Sequence, residues 1–270
     1  MLQRLFVTTC LLLCFSSAAS AATPKRIVSL SPGTTEMLFA LGLGKYVVGD
    51  TVYCDYPAAA KTVAKIGDVN TSYEKVLALR PDLIVADSTA NARAVTRLLA
   101  LHLPVLVILP TTFAAVETSL RQIGARTGTS KQAELVVGQM EQKARMAAKI
   151  AAADRRPRPR VLVVIQVNPL WTAGNGSFMD DLIARAGGVN IGRAVNGYGP
   201  FSKERVLASA PAVILGDATI SASFRTDPLL RRLPAVMLGH IYAFPPDLTS
   251  RPGPRLADGL VLVAQALHGR

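Results

Sequence analysis

One stretch of the sequence occurs twice, with a constant separation of 130 positions, and this repeat limits what the chain can fold into. In the first copy a helix opens near Glu74, ends at Pro81 and is followed by an apolar strand before Asp87. The equivalent pairs are Glu74 and Glu204, Pro81 and Pro211, Asp87 and Asp217, and Pro104 and Pro234. Because the separation stays constant over about thirty residues, the sequence predicts two similar lobes.

The two copies are separated by a long segment that favours a single helix. Residues 129–156 contain one glycine, Gly138, and no proline, and they are rich in residues that lose little rotamer freedom in a helix. Their apolar residues recur at steps of three and four, which places one apolar stripe along the helix. The stripe consists of Ala133, Val136, Val137, Met140, Ala144, Ala147 and Ala151. We therefore predict an N-terminal lobe over residues 22–128, a linking helix over 129–156 and a C-terminal lobe over 157–270.

The first 21 residues have the pattern of a cleavable signal peptide. A positively charged end and an apolar run of about eleven residues precede a small-residue cleavage pattern that ends at Ala21. Cleavage there removes Cys10 and Cys14 and leaves Cys54 as the only cysteine, so an internal disulfide is not expected. The sequence therefore predicts a protein that is secreted into the periplasm and stabilised by packing alone.

Short apolar segments alternate with helical segments in both copies. The predicted strands are residues 26–30, 47–49, 82–86 and 104–109 in the first lobe, and 160–167, 213–215, 236–238 and 241–244 in the second. This alternation predicts a mainly parallel, Rossmann-like sheet in each lobe. Ligands of such sheets bind beyond the carboxyl ends of the strands. The predicted fold class is therefore α/β, with two lobes joined by one long α-helix and a ligand cleft between them.

The residue types that usually carry catalysis or bind metals are not grouped in this sequence. His102, His240 and His268 are scattered, and none lies at metal-ligand spacing from another histidine, a cysteine or a carboxylate. Ser177 lacks the flanking glycines of a nucleophile elbow. The formal net charge of +12 is compatible with nucleic-acid binding, but no aromatic residues alternate with the basic clusters. We predict no catalytic residue, no metal site and no nucleic-acid partner, with a secreted enzyme as a remote alternative.

Polar and aromatic residues are instead expected at the carboxyl ends of strands in both lobes. The predicted ligand-binding residues are Tyr53, Asp68 and Asp87 from the first lobe, and Trp171, Tyr198, Asp247 and Arg251 from the second. Two such sets that face each other across a cleft would hold one small ligand. Trp171 is the only tryptophan of the chain and lies in a predicted loop rich in Gly and Asn, where a role in the core is not expected.

Several segments resemble a known protein family. They are residues 26–36, which begin Arg-Ile-Val-Ser-Leu-Ser-Pro and end Thr-Glu, residues 53–57 (Tyr-Cys-Asp-Tyr-Pro) and residues 79–84 (Leu-Arg-Pro-Asp-Leu-Ile). These segments look like the periplasmic binding proteins of vitamin B12 and iron-complex ABC importers. Residues 53–57, together with 168–171 and 251–255, most resemble the cobalamin-binding branch of that family.

This resemblance implies roles for the predicted site residues. Tyr53 and Trp171 would pack on the corrin ring, and Tyr198 would take the place of a tryptophan. Asp247 and Arg251 would face the ligand from the second lobe. The transported ligand would then be cobalamin, and the protein would need no cofactor of its own.

The resemblance does not decide which of the ligands carried by members of this family the protein binds. Asp68 and Asp87 stand where the best-known cobalamin-binding member has tryptophans. The nearest alternative is a carrier of haem or of a ferric siderophore. For haem, only Tyr53 or Tyr198 is placed to act as an axial ligand, and for an anionic siderophore the cleft offers mainly Arg251.

The resemblance also implies a partner in the inner membrane. Members of this family dock on a permease dimer through one acidic residue on each lobe, and Glu74 and Glu204 match those two positions. A simpler interpretation is that each glutamate only starts a helix, where a carboxylate interacts favourably with the helix dipole. The resemblance thus implies a monomeric carrier that delivers cobalamin, or another metal-chelate small molecule, to an ABC importer.

Overall fold

The computed structural model describes residues 23–68, 70–249 and 251–269, and these residues form two α/β lobes. The strands of the described chain are β1 (Ile27–Ser29), β2 (Val47–Gly49), β3 (Leu83–Asp87), β4 (Val105–Ile108), β5 (Arg160–Val163), β6 (Trp171–Ala173), β7 (Val189–Asn190), β8 (Tyr198–Pro200), β9 (Val213–Gly216) and β10 (Ile241–Ala243). One parallel sheet has the order β2-β1-β3-β4, and a second has the order β10-β9-β5-β7. The predicted fold class is confirmed.

Helices cover both sheets. The α-helices of the described residues are α1 (Pro32–Ala40), α2 (Tyr73–Ala78), α3 (Ala92–Ala100), α4 (Phe113–Thr127), α5 (Ser130–Ala153), α6 (Phe178–Arg185), α7 (Lys203–Ser209), α8 (Ile220–Thr226), α9 (Pro234–Met237), α10 (Pro246–Thr249) and α11 (Leu256–His268). Every residue of β3 is buried, as expected for a central strand that has helices packed on both faces.

The internal repeat is present in the three-dimensional structure, down to the ends of single helices. Ser72 and Ser202 cap α2 and α7, and each side chain accepts a hydrogen bond from the backbone N–H three residues later, at 3.4 and 3.3 Å. Such caps satisfy N–H groups that have no partner within the helix. Both helices are followed by a residue in the left-handed region, Arg80 with φ 44° and Ala210 with φ 43°.

Both lobes also fasten this helix to the first strand of their sheet in the same way. The Arg26 side chain donates a hydrogen bond to the Leu79 carbonyl at 2.8 Å, and the Arg160 side chain donates one to the Ser209 carbonyl at 2.7 Å. These carbonyls lie at helix C-termini, where acceptors are left over and a cation is favourable. The two lobes therefore share a scaffold as well as a sequence pattern.

The long helix α5 spans residues predicted to link the lobes and packs on both of them. Its buried side chains are Ala133, Val136, Val137, Met140 and Ala147, and all five belong to the predicted apolar stripe. Gly124 of α4 allows close approach, because a Cβ there would lie only 2.8 Å from the Ala133 Cβ. On the other side, Lys143 of α5 pairs with Asp258 of α11 at 2.6 Å. One buried apolar cluster runs from the N-terminal sheet through α5 into the C-terminal sheet.

One of the four strands predicted for the C-terminal sheet is not formed. Residues 236–238 were expected to be a strand but lie in α9 and the turn after it, so that prediction is wrong. Pro234 begins α9 at its first position, where the missing N–H costs nothing. Met237 and Leu238 are exposed, so the segment lacks the buried face of an inner strand. The sheet still has four strands, because β7, which the sequence did not predict, joins the predicted strands β5, β9 and β10.

Two further predictions concern the ends of elements and of the chain. β5 ends at Val163, four residues before the predicted boundary, because the chain leaves the sheet there and turns toward β6. The predicted signal peptide, residues 1–21 with Cys10 and Cys14, lies outside the described residues. Within the described part of the chain, no helix combines the length and the apolar character needed to cross a bilayer.

Candidate functional site

A cavity of about 280 Å³ opens at the carboxyl ends of three neighbouring strands of the C-terminal sheet, β5, β9 and β10. Its lining residues are Val163, Val164, Ile165, Met179, Tyr198, Leu215, Gly216, Asp217, Phe244 and Thr249. Asp217 is the charged member of this set, and most of the others present apolar atoms. The position agrees with the rule that ligands of parallel α/β sheets bind beyond the carboxyl ends of the strands.

Trp171 and Tyr198 belong to a two-stranded antiparallel ribbon beside this cavity, and not to the loops that the sequence predicted. The ribbon pairs Trp171 of β6 with Pro200 and Ala173 with Tyr198 of β8. Directly paired residues share a face, and so do alternate residues of one strand, so both aromatic side chains project from the same face. Trp171 is 37% exposed and Tyr198 is 50% exposed, which leaves two aromatic surfaces open to a ligand.

The ribbon is joined directly to the cavity wall. Ile165, which lines the cavity, donates its backbone N–H to the Trp171 carbonyl at 2.9 Å. The Thr172 side chain is buried behind the ribbon and donates a hydrogen bond to the Val163 carbonyl at 2.7 Å. These bonds fix the position of Trp171 relative to the cavity. The C-terminal lobe therefore brings two of its four predicted site residues together around one apolar surface.

In the N-terminal lobe, Tyr53 is presented by an anchored segment that follows β2. Tyr53 is 50% exposed, whereas Cys54 beside it is buried. The Cys54 thiol lies 3.1 Å from the Thr35 hydroxyl, which donates to it, and 3.2 Å from the hydroxyl of Thr51. Burial raises the pKa of this thiol, so it stays protonated and packs as a small neutral group. The anchor leaves Tyr53 and Tyr56 facing outward on the same segment.

The other two residues predicted from the N-terminal lobe, Asp68 and Asp87, hold turns. The exposed Asp68 carboxylate accepts the N–H of Asn70 at 2.6 Å. Asp87 ends β3, is only 5% exposed, and accepts the N–H groups of Thr89 and Ala90 at 2.7 and 3.1 Å. These bonds account for both carboxylates without a ligand. Contact of either residue with a ligand stays a prediction.

Arg251 and Arg255 connect the C-terminal lobe to the N-terminal lobe through a cluster of carboxylates. Arg255 makes a bidentate pair with Glu36, with Nε–Oε2 and Nη2–Oε1 distances of 3.0 and 2.6 Å. The Nη1 atom of Arg251 donates to Asp55, and its Nη2 atom lies 2.9 Å from Asp247. The predicted pair Asp247 and Arg251 is therefore brought together, along with Glu36 and Asp55, which the sequence did not single out as site residues.

This cluster contains three carboxylates and two guanidinium groups, so it carries a net negative charge when all are ionised. Burial raises the pKa of Glu36, and its hydrogen bonds to Arg255 oppose that shift. The hydrogen bond from Arg251 lowers the pKa of Asp55. The Arg255 guanidinium also stacks on Tyr56, with its central carbon 3.7 Å from the ring centroid. Both arginines are thus occupied by groups of the protein itself.

A second buried charge lies behind the Tyr53 segment. Asp50 is fully buried and its Oδ1 atom accepts from the Lys65 ammonium at 2.7 Å, while its Oδ2 atom has no hydrogen-bond partner. Lys65 also donates to the carbonyls of Cys54 and Ala60, at 3.1 and 2.9 Å. Desolvation raises the pKa of Asp50 to about 6, although the bond from Lys65 acts against it. This pair holds the segment that presents Tyr53.

Glu74 and Glu204, the two residues predicted to dock on a permease, occupy equivalent positions in the first turns of α2 and α7. Both side chains are exposed, and neither forms an ion pair with another described residue. The neighbouring basic residues have other partners: Lys203 forms an ion pair with Asp227 at 2.5 Å, and Arg205 stacks on the ring of Phe201. Hydrogen bonds to its own backbone N–H and to Ser202 lower the pKa of Glu204, so it is ionised at neutral pH.

The sequence did not single out several residues of the cavity and of the interlobe cluster. Phe244 and Met179 line the cavity, and the rule about strand ends points to Phe244 because it directly follows β10. Asp55 and Glu36 lie within segments that carry the family resemblance, but nothing local indicates that they meet arginines about two hundred positions away. In residues 23–68, 70–249 and 251–269, no three metal-ligating side chains come together in a way that could hold an ion.

Known proteins match the chain over most of its length. A family model described as "Periplasmic binding protein" matches residues 27–248. An uncharacterized ABC transporter substrate-binding lipoprotein of Bacillus subtilis is 30% identical over 91% of this chain and 80% of its own length. A vitamin B12-binding protein of Pectobacterium carotovorum is 29% identical over 92% and 89%. Among solved structures, a periplasmic haem-binding protein from Roseiflexus has a TM-score of 0.81 at 27% identity, over 91% of this chain and 98% of that one.

Proposed function

The chain belongs to the periplasmic binding protein family of ABC importers for vitamin B12 and iron complexes, and we propose that its ligand is cobalamin or a related corrinoid. Members of this family are substrate-binding proteins and not enzymes. The observation that carries the proposal is the apolar cavity at the strand ends of the C-terminal sheet, with Trp171 and Tyr198 on one face beside it. A flat macrocycle can stack on such aromatic surfaces while its edge enters the cavity.

The charge around the cleft supports a ligand whose edge carries amides. Cobalamin presents carboxamide groups, which donate and accept hydrogen bonds without a net charge. The arginines of the cleft cluster, Arg251 and Arg255, are already bound to carboxylates, and the charged residue of the cavity is Asp217. An anionic ligand would meet the carboxylates of this cluster and Asp217, and like charges at an interface are costly. An amide-rich ligand avoids that cost.

Haem is the second candidate, and the solved structure of a haem-binding relative is the observation that favours it. Tyr198 lines the cavity and could supply an axial oxygen ligand to the iron. Tyr53 is exposed and could approach an iron atom from the other lobe. The carboxylates of haem would also need cations that are free, whereas Arg251 and Arg255 are paired. The pairing of these two arginines favours cobalamin over haem.

Delivery of the ligand is proposed to use Glu74 and Glu204. Their equivalent positions and their exposed carboxylates, which form no ion pair with the described residues, suit two matching contacts, one from each lobe, with basic residues on a two-fold permease. Charge pairs of this kind steer the encounter and fix the register more than they raise affinity. A monomer with two such contacts would fit one permease dimer. The predicted site of action is the periplasm, in line with the extracytoplasmic setting of the family.

Equilibrium dialysis of the purified protein against cyanocobalamin and against haem, read by visible absorbance, tests the proposal. We expect one equivalent of cyanocobalamin to bind, and haem to bind at least about tenfold more weakly, which corresponds to about 1.4 kcal/mol. Stoichiometric binding of haem with no retention of cyanocobalamin would establish the second candidate and reject the first.

A further inference from the structure

Asp55 belongs to the salt-bridge network between the lobes, but neither the cavity nor the predicted site explains its presence there. Asp55 lies in the exposed segment of the N-terminal lobe, next to Tyr56, and its side chain is about half exposed. Its partner, Arg251, lies 196 positions later in the chain, between α10 and α11. A contact between such distant segments, each from a different lobe, places Asp55 where the two lobes meet, and Arg251 follows Thr249 of the cavity wall by two residues.

The groups around Arg251 show how its positive charge is balanced, and Asp55 is one of the carboxylates that pair with it. Glu36 also lies near Arg251, but both of its oxygens pair with Arg255, and its Oε1 atom is 3.9 Å from the Nη1 atom of Arg251. Asp247 neutralises one side of the guanidinium at 2.9 Å. Asp55 covers the side that faces the N-terminal lobe, through Nη1 and, at 3.5 Å, through Nη2. Removal of Asp55 would therefore expose a positive charge toward the cleft.

A guanidinium that is already paired with carboxylates interacts differently with a ligand amide and with a ligand carboxylate. A ligand carboxylate that approaches Arg251 meets Asp55 and Asp247 as like charges, and it gains the arginine only by displacing one of them. A ligand amide has no net charge, so it can accept from an N–H that is still free without that repulsion. Specificity is a difference between two affinities, and repulsion of the wrong ligand contributes to it as much as attraction of the right one.

We propose that Asp55 is a specificity-determining residue, which holds Arg251 so that the cleft rejects ligands with carboxylates and accepts ligands with amides. The inference deepens the proposed corrinoid function and rests on it for the identity of the amide ligand. It assigns to the segment at residues 53–57 a role in selection, in addition to the presentation of Tyr53. The role depends on the negative charge of Asp55 and not on its shape.

The test compares two ligands that differ in a single group. One is cyanocobalamin, and the other is its monocarboxylate, in which one peripheral amide has been hydrolysed. The variants are Asp55→Asn, which removes the charge, Asp55→Glu, which keeps it, and Asp258→Asn as a control. Asp258 is a comparable, half-exposed partner of a salt bridge, but it pairs with Lys143 on the linking helix. Thermal unfolding of all four proteins first establishes that each is folded.

We expect the wild-type protein to bind the amide form about tenfold more tightly than the carboxylate, and Asp55→Asn to reduce that ratio to about twofold. Asp55→Glu and Asp258→Asn should keep the wild-type ratio. Added salt should lower the ratio in the wild type, because Asp55 is exposed enough to be screened. An unchanged ratio in a folded Asp55→Asn protein, or equal wild-type affinities for both ligands, would overturn the role of Asp55.

Failure of the corrinoid proposal gives a different result. A wild-type protein that binds haem but neither corrinoid would reject cobalamin, and Asp55 would then be tested with haem and its dimethyl ester. In that case Asp55→Asn should raise the affinity for haem, which has carboxylates, and leave the affinity for the dimethyl ester unchanged. Equal effects on haem and the ester would overturn the role of Asp55 as well. A protein that binds none of these ligands would overturn both proposals.

Discussion

The two lobes have the same scaffold but place different chemistry at the carboxyl ends of their strands. Both fasten a serine-capped helix to the first strand with an arginine. At the edge of the N-terminal sheet, β2 is followed by Asp50, a buried carboxylate paired with Lys65. At the corresponding edge of the C-terminal sheet, β7 ends in Asn190, a buried neutral amide that donates to the Ala173 carbonyl at 2.9 Å.

This difference gives the two lobes different roles in ligand binding. The C-terminal lobe has one charged residue, Asp217, in the lining of its mostly apolar cavity, and it leaves two aromatic faces open beside that cavity. The N-terminal lobe fills the same region with ion pairs and hydrogen-bonded turns. We infer that the C-terminal lobe supplies the surface on which the ligand packs. The N-terminal lobe then covers the ligand with Tyr53 and selects it through Asp55.

The largest expected effect concerns Asp50, the fully buried carboxylate at the edge of the N-terminal sheet. The pKa of Asp50 is raised to about 6, so between about pH 4 and pH 6 the folded protein holds a proton that the unfolded chain has lost. The free energy of unfolding should therefore fall by about 2–3 kcal/mol as the pH rises through this window. Denaturant unfolding at pH 4, 5, 6 and 7 measures this slope.

Two variants make that measurement a comparison of the lobes. Asp50→Asn should remove most of the slope, and Asn190→Asp should add a similar slope by placing a buried carboxylate in the C-terminal lobe. Asp258→Asn, which removes a half-exposed carboxylate from a salt bridge on α11, should leave the wild-type slope. Equal slopes in the wild-type and Asp50→Asn proteins would show that Asp50 titrates as an ordinary exposed acid.

The next effect tests which lobe carries the packing surface. Trp171→Ala should weaken cyanocobalamin binding by about 1–3 kcal/mol, because a well-packed aromatic anchor is lost. Trp171→Phe should restore part of that affinity. Tyr53→Ala in the N-terminal lobe is the matched comparison and should cost less. Isothermal titration of the three variants measures the order, and a greater loss in Tyr53→Ala than in Trp171→Ala would assign the main surface to the other lobe.

The two lobes should contribute equally to delivery, in contrast to their unequal roles in binding. Glu74→Ala and Glu204→Ala should each slow uptake several-fold in vesicles that contain the cognate importer, and the double variant should be slower than either. The affinity for the ligand should stay within about twofold of the wild-type value, which corresponds to a change in binding free energy of about 0.4 kcal/mol at most. Normal uptake by both single variants would leave these residues with a helix-capping role alone.

The smallest expected effect is on the shape of the protein. Helix α5 packs on α4 of one lobe and α11 of the other, and the buried apolar cluster continues across all three. Packed cores do not deform continuously, so ligand binding should change the angle between the lobes only slightly. Small-angle scattering with and without cyanocobalamin should give radii of gyration within about 1 Å of each other. A contraction of several ångströms would show that the lobes close as hinged bodies.

The features that the sequence predicted correctly are those encoded locally. The apolar stripe of α5 has helical spacing, β3 is a continuous apolar run, and the repeat keeps a constant separation through turns as well as strands. Residues 236–238 were mispredicted because the repeat suggested a strand, whereas Pro234 and the exposed Met237 favour a short helix. Local preferences prevailed over the analogy between the lobes at this position.

The parts of the site that the sequence did not predict depend on which segments meet in space. Arg251 was predicted to face a ligand, but its contact with Asp55 depends on how the two lobes are oriented around α5. The cavity wall combines residues from β5, α6, β9 and α10, whose adjacency follows from sheet order. Asp87 is a further example, since its carboxylate holds a turn that could be recognised only once the backbone was known.

The central claim is that the ligand packs on the aromatic face of the C-terminal lobe, and the fluorescence of Trp171 tests it most directly because this is the only tryptophan of the chain. Cyanocobalamin is added to the purified protein while emission and dialysis-based binding are measured together. We predict a saturable loss of emission that follows the binding curve with a stoichiometry of one, with no such loss for a weakly retained ligand. Full binding by dialysis with unchanged Trp171 emission would contradict the claim and move the ligand away from this face.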